Sequence, residues 1–298
     1  MAEIINGVVC GGEIAVTVIK STDIVNKAIE YFELSPVAAA ALGRTLSIAS
    51  IMGYGLKNDG DHLTVVLNGG GPIGTITVTA AAGGNVKGYA DNPKVESFIN
   101  DKGKLDVRRA VGVNGSMTVI RNTGLKEPYV GTCGLVSGEI AEDFANYFAS
   151  SEQTPCGVAL GVKIAPDGAC VSAGGIFASV LPGASEESVS AFEKVFSPLS
   201  NVSALMENKS AERFASDVFG ALGLKILDRR QCGYVCDCSR DKIDKVLMSL
   251  QKSDVDELIA EKGEIEVVCQ FCNKKYIYTK EQAYKVCGFD NIQTDGKK

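Results

Sequence analysis

Apolar positions along this chain switch between a period of two and a period near 3.6, and the switches mark its elements. Ile14, Val16 and Val18 alternate with less apolar neighbours over residues 13–19, which predicts a half-buried strand. Ser21 stands where a helix N-cap belongs, with Ile24, Ala28 and Phe32 at helical spacing behind it. Ser35 and Pro36 mark a second start, a cap followed by proline at the first helical position. Residues 37–52 are apolar nearly all round, so that helix should be buried, with Gly53 and Gly55 ending it. Strands are expected at 63–67, 75–79, 86–89 and 117–120, the third after a Gly83-Gly84-Asn85 turn. Residues 137–148 read as a helix with Ile140, Phe144 and Phe148 on one face. Two further strands, near 158–164 and 169–180, flank Pro166-Asp167-Gly168, a turn in which each residue has its own conformational reason.

The texture changes at Leu181-Pro182-Gly183. Residues 184–230 show short amphipathic helices and no strand: one carries Val189, Phe192 and Phe196, one covers 199–206, and one runs from Ser210 through Phe214, Val218 and Leu222 to Gly223. The last segment is compact. Ser239 caps a helix with Ile243, Val246, Leu247 and Leu250, and Ser253 with Asp256 resembles a capping box for another that Gly263 closes. Residues 265–268 and 276–278 read as strands joined by Cys269-Gln270-Phe271-Cys272, and Thr279 with Gln282 forms a third cap. The fold class is α+β. A mixed α/β domain spans 1–180, a helical linker 181–231 and a small C-terminal domain 232–298, in keeping with a length of 298 residues.

A net charge of -6 argues against broad contact with nucleic acid or an anionic membrane. No positively charged segment precedes an apolar run at Met1-Ala2-Glu3-Ile4, and the most apolar stretch, 36–51, contains Arg44. The expectation is a cytoplasmic protein. The ten cysteines change the picture, because six of them crowd into the last quarter: Cys232, Cys236, Cys238, Cys269, Cys272 and Cys287. Cys10, Cys133, Cys156 and Cys170 are scattered, and the one histidine, His62, lies far from the cluster. Clustered thiols in a reducing compartment point to metal or redox chemistry rather than a disulfide scaffold.

Zinc takes four thiolates in a tetrahedron, and a short spacing presents two sulfurs from one turn. Cys236-Asp237-Cys238 and Cys269-x-x-Cys272 supply two such pairs, with 30 residues between them. The expected site is one zinc ion per chain held by Cys236, Cys238, Cys269 and Cys272, and a switch rather than a catalytic centre, since oxidising a thiolate-only site consumes its ligands. Three other features read as structural. Gly69-x-Gly71-x-x-Gly74 matches a dinucleotide fingerprint as a string, but Pro72 and a following strand replace the helix that fingerprint requires. His62 reads as a surface residue. Ser137, Glu139, Glu142 and Asp143 read as a cap with acids favouring a helix dipole rather than an acid/base pair.

Several strings together resemble one family. They are Leu34-Ser-Pro-Val-Ala38, Ala41-Leu-Gly-Arg44, Gly70-Gly-Pro-Ile-Gly74, Gly88-Tyr-Ala-Asp-Asn-Pro93 and Leu135-Val-Ser-Gly-Glu-Ile-Ala-Glu-Asp143. Ser151-Glu-Gln-Thr-Pro155, Leu160-Gly-Val162, Cys236-Asp-Cys-Ser-Arg240 and Cys269-Gln-Phe-Cys272 complete the set. On these the chain resembles the bacterial redox-regulated heat-shock chaperones, the 33 kDa chaperonin family, over almost its whole length. The resemblance implies an ATP-independent holdase that is not an enzyme and has no catalytic residue. It implies a reduced, zinc-bound, inactive form and an oxidised, active form with Cys236–Cys238 and Cys269–Cys272 disulfides. It further implies that 1–180 binds clients and dimerises, that 181–231 is metastable, and that 232–298 is the redox switch. The implied partners are unfolded client proteins and, when oxidised, a second copy. Cys133, Cys156, Cys232 and Cys287 go beyond the family pattern, and a thiolate near a disulfide can reshuffle it.

Two other classes fit parts of the pattern. A zinc-ribbon thiol oxidoreductase would place its Cys-x-x-Cys at a helix N-terminus, whereas here it falls between strands. A nucleic-acid-binding zinc protein would show a basic stripe with stacking aromatics, of which Lys274, Lys275, Tyr276 and Tyr278 are a small version.

Overall fold

A computed structural model of the chain describes residues 1–289 apart from 102 and 200. The described chain forms two compact units, Met1–Val235 and a second that begins at Cys236.

The first unit opens with a hairpin, β1 (Ala2–Val9) and β2 (Ile14–Lys20), then α1 (Thr22–Phe32) and α2 (Pro36–Tyr54). There follow β3 (His62–Asn68), β4 (Ile76–Ala81), β5 (Val86–Ala90), the short α3 (Val107–Val111), β6 (Ser116–Asn122), β7 (Tyr129–Gly134) and α4 (Ala141–Ser151). Then come β8 (Cys156–Ile164), β9 (Cys170–Val180), α5 (Glu186–Phe196), α6 (Val202–Met206), α7 (Ala211–Phe219) and β10 (Lys225–Cys232). The strands make two antiparallel five-stranded sheets, ordered β10-β1-β2-β9-β8 and β5-β4-β3-β6-β7.

α2 is the central layer. It is buried on every side because it packs against strands of both sheets, which is why 37–52 could be apolar all round. By length and composition this helix could cross a membrane, yet 89% of its apolar window is buried in the fold. Arg44, the charge inside it, is largely buried and is compensated by pairing with Glu139 at 2.8 Å. The first sheet is covered on its other face by α5, α6 and α7, whose Phe192, Val202, Met206, Phe214 and Phe219 pack with Ile5, Val16, Val18 and Ile176. A sheet buried on both faces need not alternate. In β1, Ile4 joins the α2 side and Ile5 the α5–α7 side.

Several expectations need correction. Residues 184–230 contain a strand: β10 pairs antiparallel with β1, Ala2 opposite Cys232 and Val8 opposite Lys225. Its polar, mostly exposed sequence hides it, because an edge strand needs only backbone partners. β1 and β7 were also not evident, β1 because it is apolar on both faces and β7 because it is an exposed edge carrying two glycines. α4 starts at Ala141, not at Ser137. The cap is the buried Asp143 carboxylate, which accepts the backbone N–H groups of Val136, Ser137, Gly138 and Ile140 at 2.8, 3.0, 3.3 and 3.1 Å. α2 continues through Gly53 to Tyr54. Ser21 precedes α1, but its hydroxyl pairs with Ser47 at 2.7 Å instead of capping.

The second unit holds α8 (Arg240–Leu247), α9 (Lys252–Lys262), the hairpin β11 (Glu264–Val268) and β12 (Lys275–Thr279), and α10 (Lys280–Cys287). Ser239 and Thr279 cap as expected, but α9 starts earlier than Ser253: Asp254 accepts the Gln251 N–H at 3.3 Å. Its core is small. Among the described residues it comprises Leu247, Val255, Ile265, Cys269, Tyr276, Tyr278 and Ala283.

Candidate metal centre

Cys236 and Cys238 lie in the loop before α8, and Ser239 Oγ turns the chain into that helix by accepting Lys242 N–H at 3.3 Å. Asp237, the one residue between Cys236 and Cys238, is exposed and pairs with Lys242. Cys269 and Cys272 sit in the β11–β12 turn. Cys269 N–H donates to Lys274 O at 2.9 Å, while Asn273 N–H and Cys272 N–H donate back to Cys269 O at 2.9 and 3.3 Å. Asn273 takes the left-handed conformation, φ 55°, that such a knuckle requires and that asparagine tolerates. α8 and α9 bridge the 30 residues between the pairs and fold one onto the other.

The four sulfurs all lie within 4.8 Å of one another. Cys236 Sγ is 3.6 Å from Cys269 Sγ, and Cys238 Sγ is 3.5 Å from Cys272 Sγ. Metal–sulfur distances of about 2.3 Å in a tetrahedron imply sulfur–sulfur edges of roughly 3.8 Å. The donor set therefore fits a single tetrahedral cation that accepts thiolates. Among the described residues this is the one place where three or more metal-binding side chains converge.

The surroundings tune the sulfurs unequally. Tyr276 Oη donates to Cys238 Sγ at 3.1 Å. Burial pushes the Cys238 thiol up, but hydrogen bonds from Tyr276 and the neighbouring thiols outweigh it and bring it down to about 7. Burial instead raises Cys236 and Cys272. Tyr276 is a residue the sequence reading missed as a partner. Its alternation with Tyr278 in β12 is a signal that the two share a face, but nothing in the sequence says that the Tyr276 hydroxyl meets a sulfur.

The remaining thiols stay apart from the site in chemistry. Cys156 and Cys170 are pushed up by burial to about 11 and about 12. Cys10, Cys133 and Cys232 are also raised, burial being the largest cause in each. Cys287 packs in the second unit's core and donates its S–H to Leu247 O at 3.3 Å. High thiol pKa values make poor nucleophiles.

The other candidates resolve structurally. His62 opens β3 and is exposed. Gly69 and Gly71 belong to the β3–β4 connection, where a Cβ would lie 2.2 Å from Gly112 O and 2.4 Å from Ala110 O respectively. The string is thus a site of close backbone approach, with no helix behind it to receive a pyrophosphate. Arg44 and Glu139 pair, and Asp143 serves the backbone. Tyr276 and Tyr278, which a nucleic-acid surface would expose for stacking, are 5% and 0% exposed.

Comparison with known proteins agrees with this arrangement. The sequence matches the family described as "Hsp33 protein" over residues 3–279. It is 45% identical over 276 residues to the "33 kDa chaperonin" of Clostridioides difficile (strain 630), covering 92% of this chain and 94% of that one. The "33 kDa chaperonin" of Alkaliphilus oremlandii (strain OhILAs) is 42% identical over 284 residues, 95% of each. The crystal structure of the 33 kDa chaperonin from Thermotoga maritima superposes with a TM-score of 0.88 at 32% identity, covering 98% of this chain and 99% of that chain. Family match, full-length relatives and superposition together establish that this chain belongs to the Hsp33 family.

Proposed function

We propose that this protein is a redox-regulated, ATP-independent holdase whose four-cysteine site holds its C-terminal unit folded until oxidation removes the ligands. The observation that carries the reading is the convergence of Cys236, Cys238, Cys269 and Cys272 in a unit whose core has only seven buried side chains among the described residues. These four residues are the proposed ligands of one zinc ion. Bound zinc contributes cross-linking: structural sites of this type supply ~10–16 kcal/mol of apparent binding energy, which in small metallodomains is folding energy. A whole domain is net stable by only ~5–15 kcal/mol. A site kept as four free thiols belongs in a reducing compartment, so the proposed location is the cytoplasm.

Peroxide converts the thiols in two steps of two electrons each. One thiolate attacks peroxide and becomes a sulfenic acid, and its pair displaces water from it to form the disulfide. Two hydrogen peroxide molecules and four protons are consumed for four thiolates, yielding two disulfides and four waters. The proposed pairs are Cys236–Cys238 and Cys269–Cys272. Afterwards no thiolate remains to hold a metal, and disulfides closing such short loops stabilise much less than long ones. The second unit then unfolds and residues 181–231 lose their order.

In this reading residues 181–231 are the metastable linker. Phe192, Phe196, Phe214 and Phe219, or the sheet face they cover, become available to unfolded proteins, and residues 1–180 bind the client and pair with a second copy. Neither nucleic acid nor membrane is a proposed partner, and no turnover is expected. The test is light scattering of an unfolding protein at mildly elevated temperature, without ATP, before and after peroxide, with released zinc measured in parallel. Aggregation should be suppressed only after zinc is lost. Zinc release without suppression would leave a structural zinc ribbon and end the chaperone reading.

A further inference from the structure

β10 is an unusual occupant of its place. Leu227 is 64% exposed, at the point where the β1–β10 register slips between Asn6 and Gly7, and of the eight residues only Cys232 is buried. What holds the strand is its backbone ladder with β1 and a few polar ties. Tyr54 Oη donates to Asp228 at 2.8 Å, and Arg229 pairs with Glu212 at 2.5 Å. β1 is the opposite case, with Ile4 and Ile5 buried on its two faces. One strand is built into the core. The other is laid on its edge with few side-chain requirements.

The next residues repeat the device on the second sheet. Val86 N–H donates to Gly233 O at 2.9 Å and Val235 N–H to Val86 O at 2.8 Å, so 233–235 pair with the outer edge of β5. Tyr234 Oη meets Gly88 N and O at 3.0 and 2.7 Å. The stretch 225–235 therefore covers an edge of each sheet, and the residue that follows it is Cys236.

We propose that the outer edge of β1 is a docking site for an extended segment of an unfolded polypeptide, which replaces β10 by antiparallel backbone pairing once 225–235 has peeled away. The proposal rests on the holdase reading above and specifies where and how that holdase grips. β10 itself shows the fit: the edge accepts an eight-residue strand whose own side chains are mostly in water. An uncovered edge presents a row of N–H and C=O groups to any extended chain, and pairing through the backbone tolerates any sequence without proline at the bonded positions. Apolar side chains of the incoming strand gain ground on both faces, where Ile226 now packs with the α5–α7 layer and Cys232 with the α2 layer. Gly7 marks how close the strands come, since a Cβ there would lie 2.6 Å from Lys225 O.

Hydrogen exchange on the full chain, reduced and peroxide-treated, tests this with carboxymethylated α-lactalbumin as a permanently unfolded client. Amides of β1 alternate between those facing β2 and those facing β10. After peroxide the β10-facing set should lose protection by on the order of tenfold or more while the β2-facing set holds. Added client should restore the β1 set and leave β10 open. A synthetic peptide of the 225–231 sequence should displace the client. N-methylation of alternate peptide residues should abolish displacement in one register and spare it in the other, because only one edge of the peptide pairs. Unchanged β1 protection after peroxide, open β1 amides with client bound, or equal competition by both methylated peptides would each overturn the proposal. So would recovery of β1 protection without client at twice the mass, which would give the edge to a second copy. Aggregation suppression with β1 protection unaltered removes this inference alone, whereas absence of suppression removes the holdase reading and this with it.

Discussion

Tyr276 donates its phenolic hydrogen to Cys238 Sγ across 3.1 Å, tying β12 to a cysteine 38 residues earlier in the chain. The bond both orients the sulfur and favours its thiolate, and outer-shell partners of this kind tune a metal site as ligands do. Tyr276→Phe keeps the ring in the core and removes only the hydroxyl. We expect zinc affinity to fall roughly 10- to 100-fold, with metal binding shifted to higher pH as the Cys238 thiol rises from about 7. Competition against a chromophoric chelator as a function of pH measures both. Unchanged affinity would show that the hydroxyl is a bystander.

The two proposed disulfides should form in an order set by loop geometry rather than by sulfur distance. The sulfur contacts at 3.5 and 3.6 Å run between the two motifs, so proximity does not favour the pairs within them. Each disulfide needs its Cβ atoms roughly 3.5–4.5 Å apart. The Cys269–Cys272 turn has two residues to absorb the bend, whereas Cys236–Cys238 has one and closes a tighter ring. Cys269–Cys272 should therefore form first. Timed alkylation with peptide mapping decides it. A completed Cys236–Cys238 bond beside alkylatable Cys269 and Cys272 would reverse the order.

Asp143 holds the turn before α4 through four backbone N–H groups while fully buried. Asp143→Asn removes the charge and turns one acceptor oxygen into a donor that faces other donors. The expected loss is about 1.5–3 kcal/mol of stability, read as a lower urea midpoint. Zinc content should not change, since the residue belongs to the first unit.

Acid should loosen residues 181–231 through two carboxylates. Glu13 accepts Ser185 N–H and Oγ–H at 2.7 and 2.8 Å, and the backbone bond is the larger cause of its lowered pKa. Asp228 is lowered chiefly by the Tyr54 hydrogen bond. A carboxylate with a depressed folded pKa stabilises above its unfolded value, and that stabilisation is lost as pH falls through the folded value. Both ties should hold at neutral pH and fail below the ordinary 4.5 of Glu13 and 3.8 of Asp228. Amides of α5 and β10 should then exchange before those of α2. Glu13→Gln should remove the acid sensitivity of α5 while leaving that of β10. Identical profiles for the two proteins would show that another group controls α5.

Much of this protein was legible in its sequence because the deciding physics is local. The buried α2 follows from an apolar run behind Ser35-Pro36, and the four-cysteine site from two spacings that each present a sulfur pair. Helix caps at Ser239 and Thr279 and the Pro166-Asp167-Gly168 turn are likewise set by residues a few positions apart. Distance along the chain erased the rest. β10 carries no hydrophobic period because its partner is the backbone of β1, more than 200 residues away. Asp143 looks like any acid near a helix start until the turn folds four N–H groups around it. Tyr276 reads as a strand residue, and with Tyr278 as a candidate stacking aromatic, until the β11–β12 hairpin brings its hydroxyl to Cys238. Spacing and periodicity thus determined which side chains could form the core and the sulfur site. Only the tertiary fold decided which edges pair and which polar groups meet, because hydrogen bonds between distant segments leave no pattern in either segment alone.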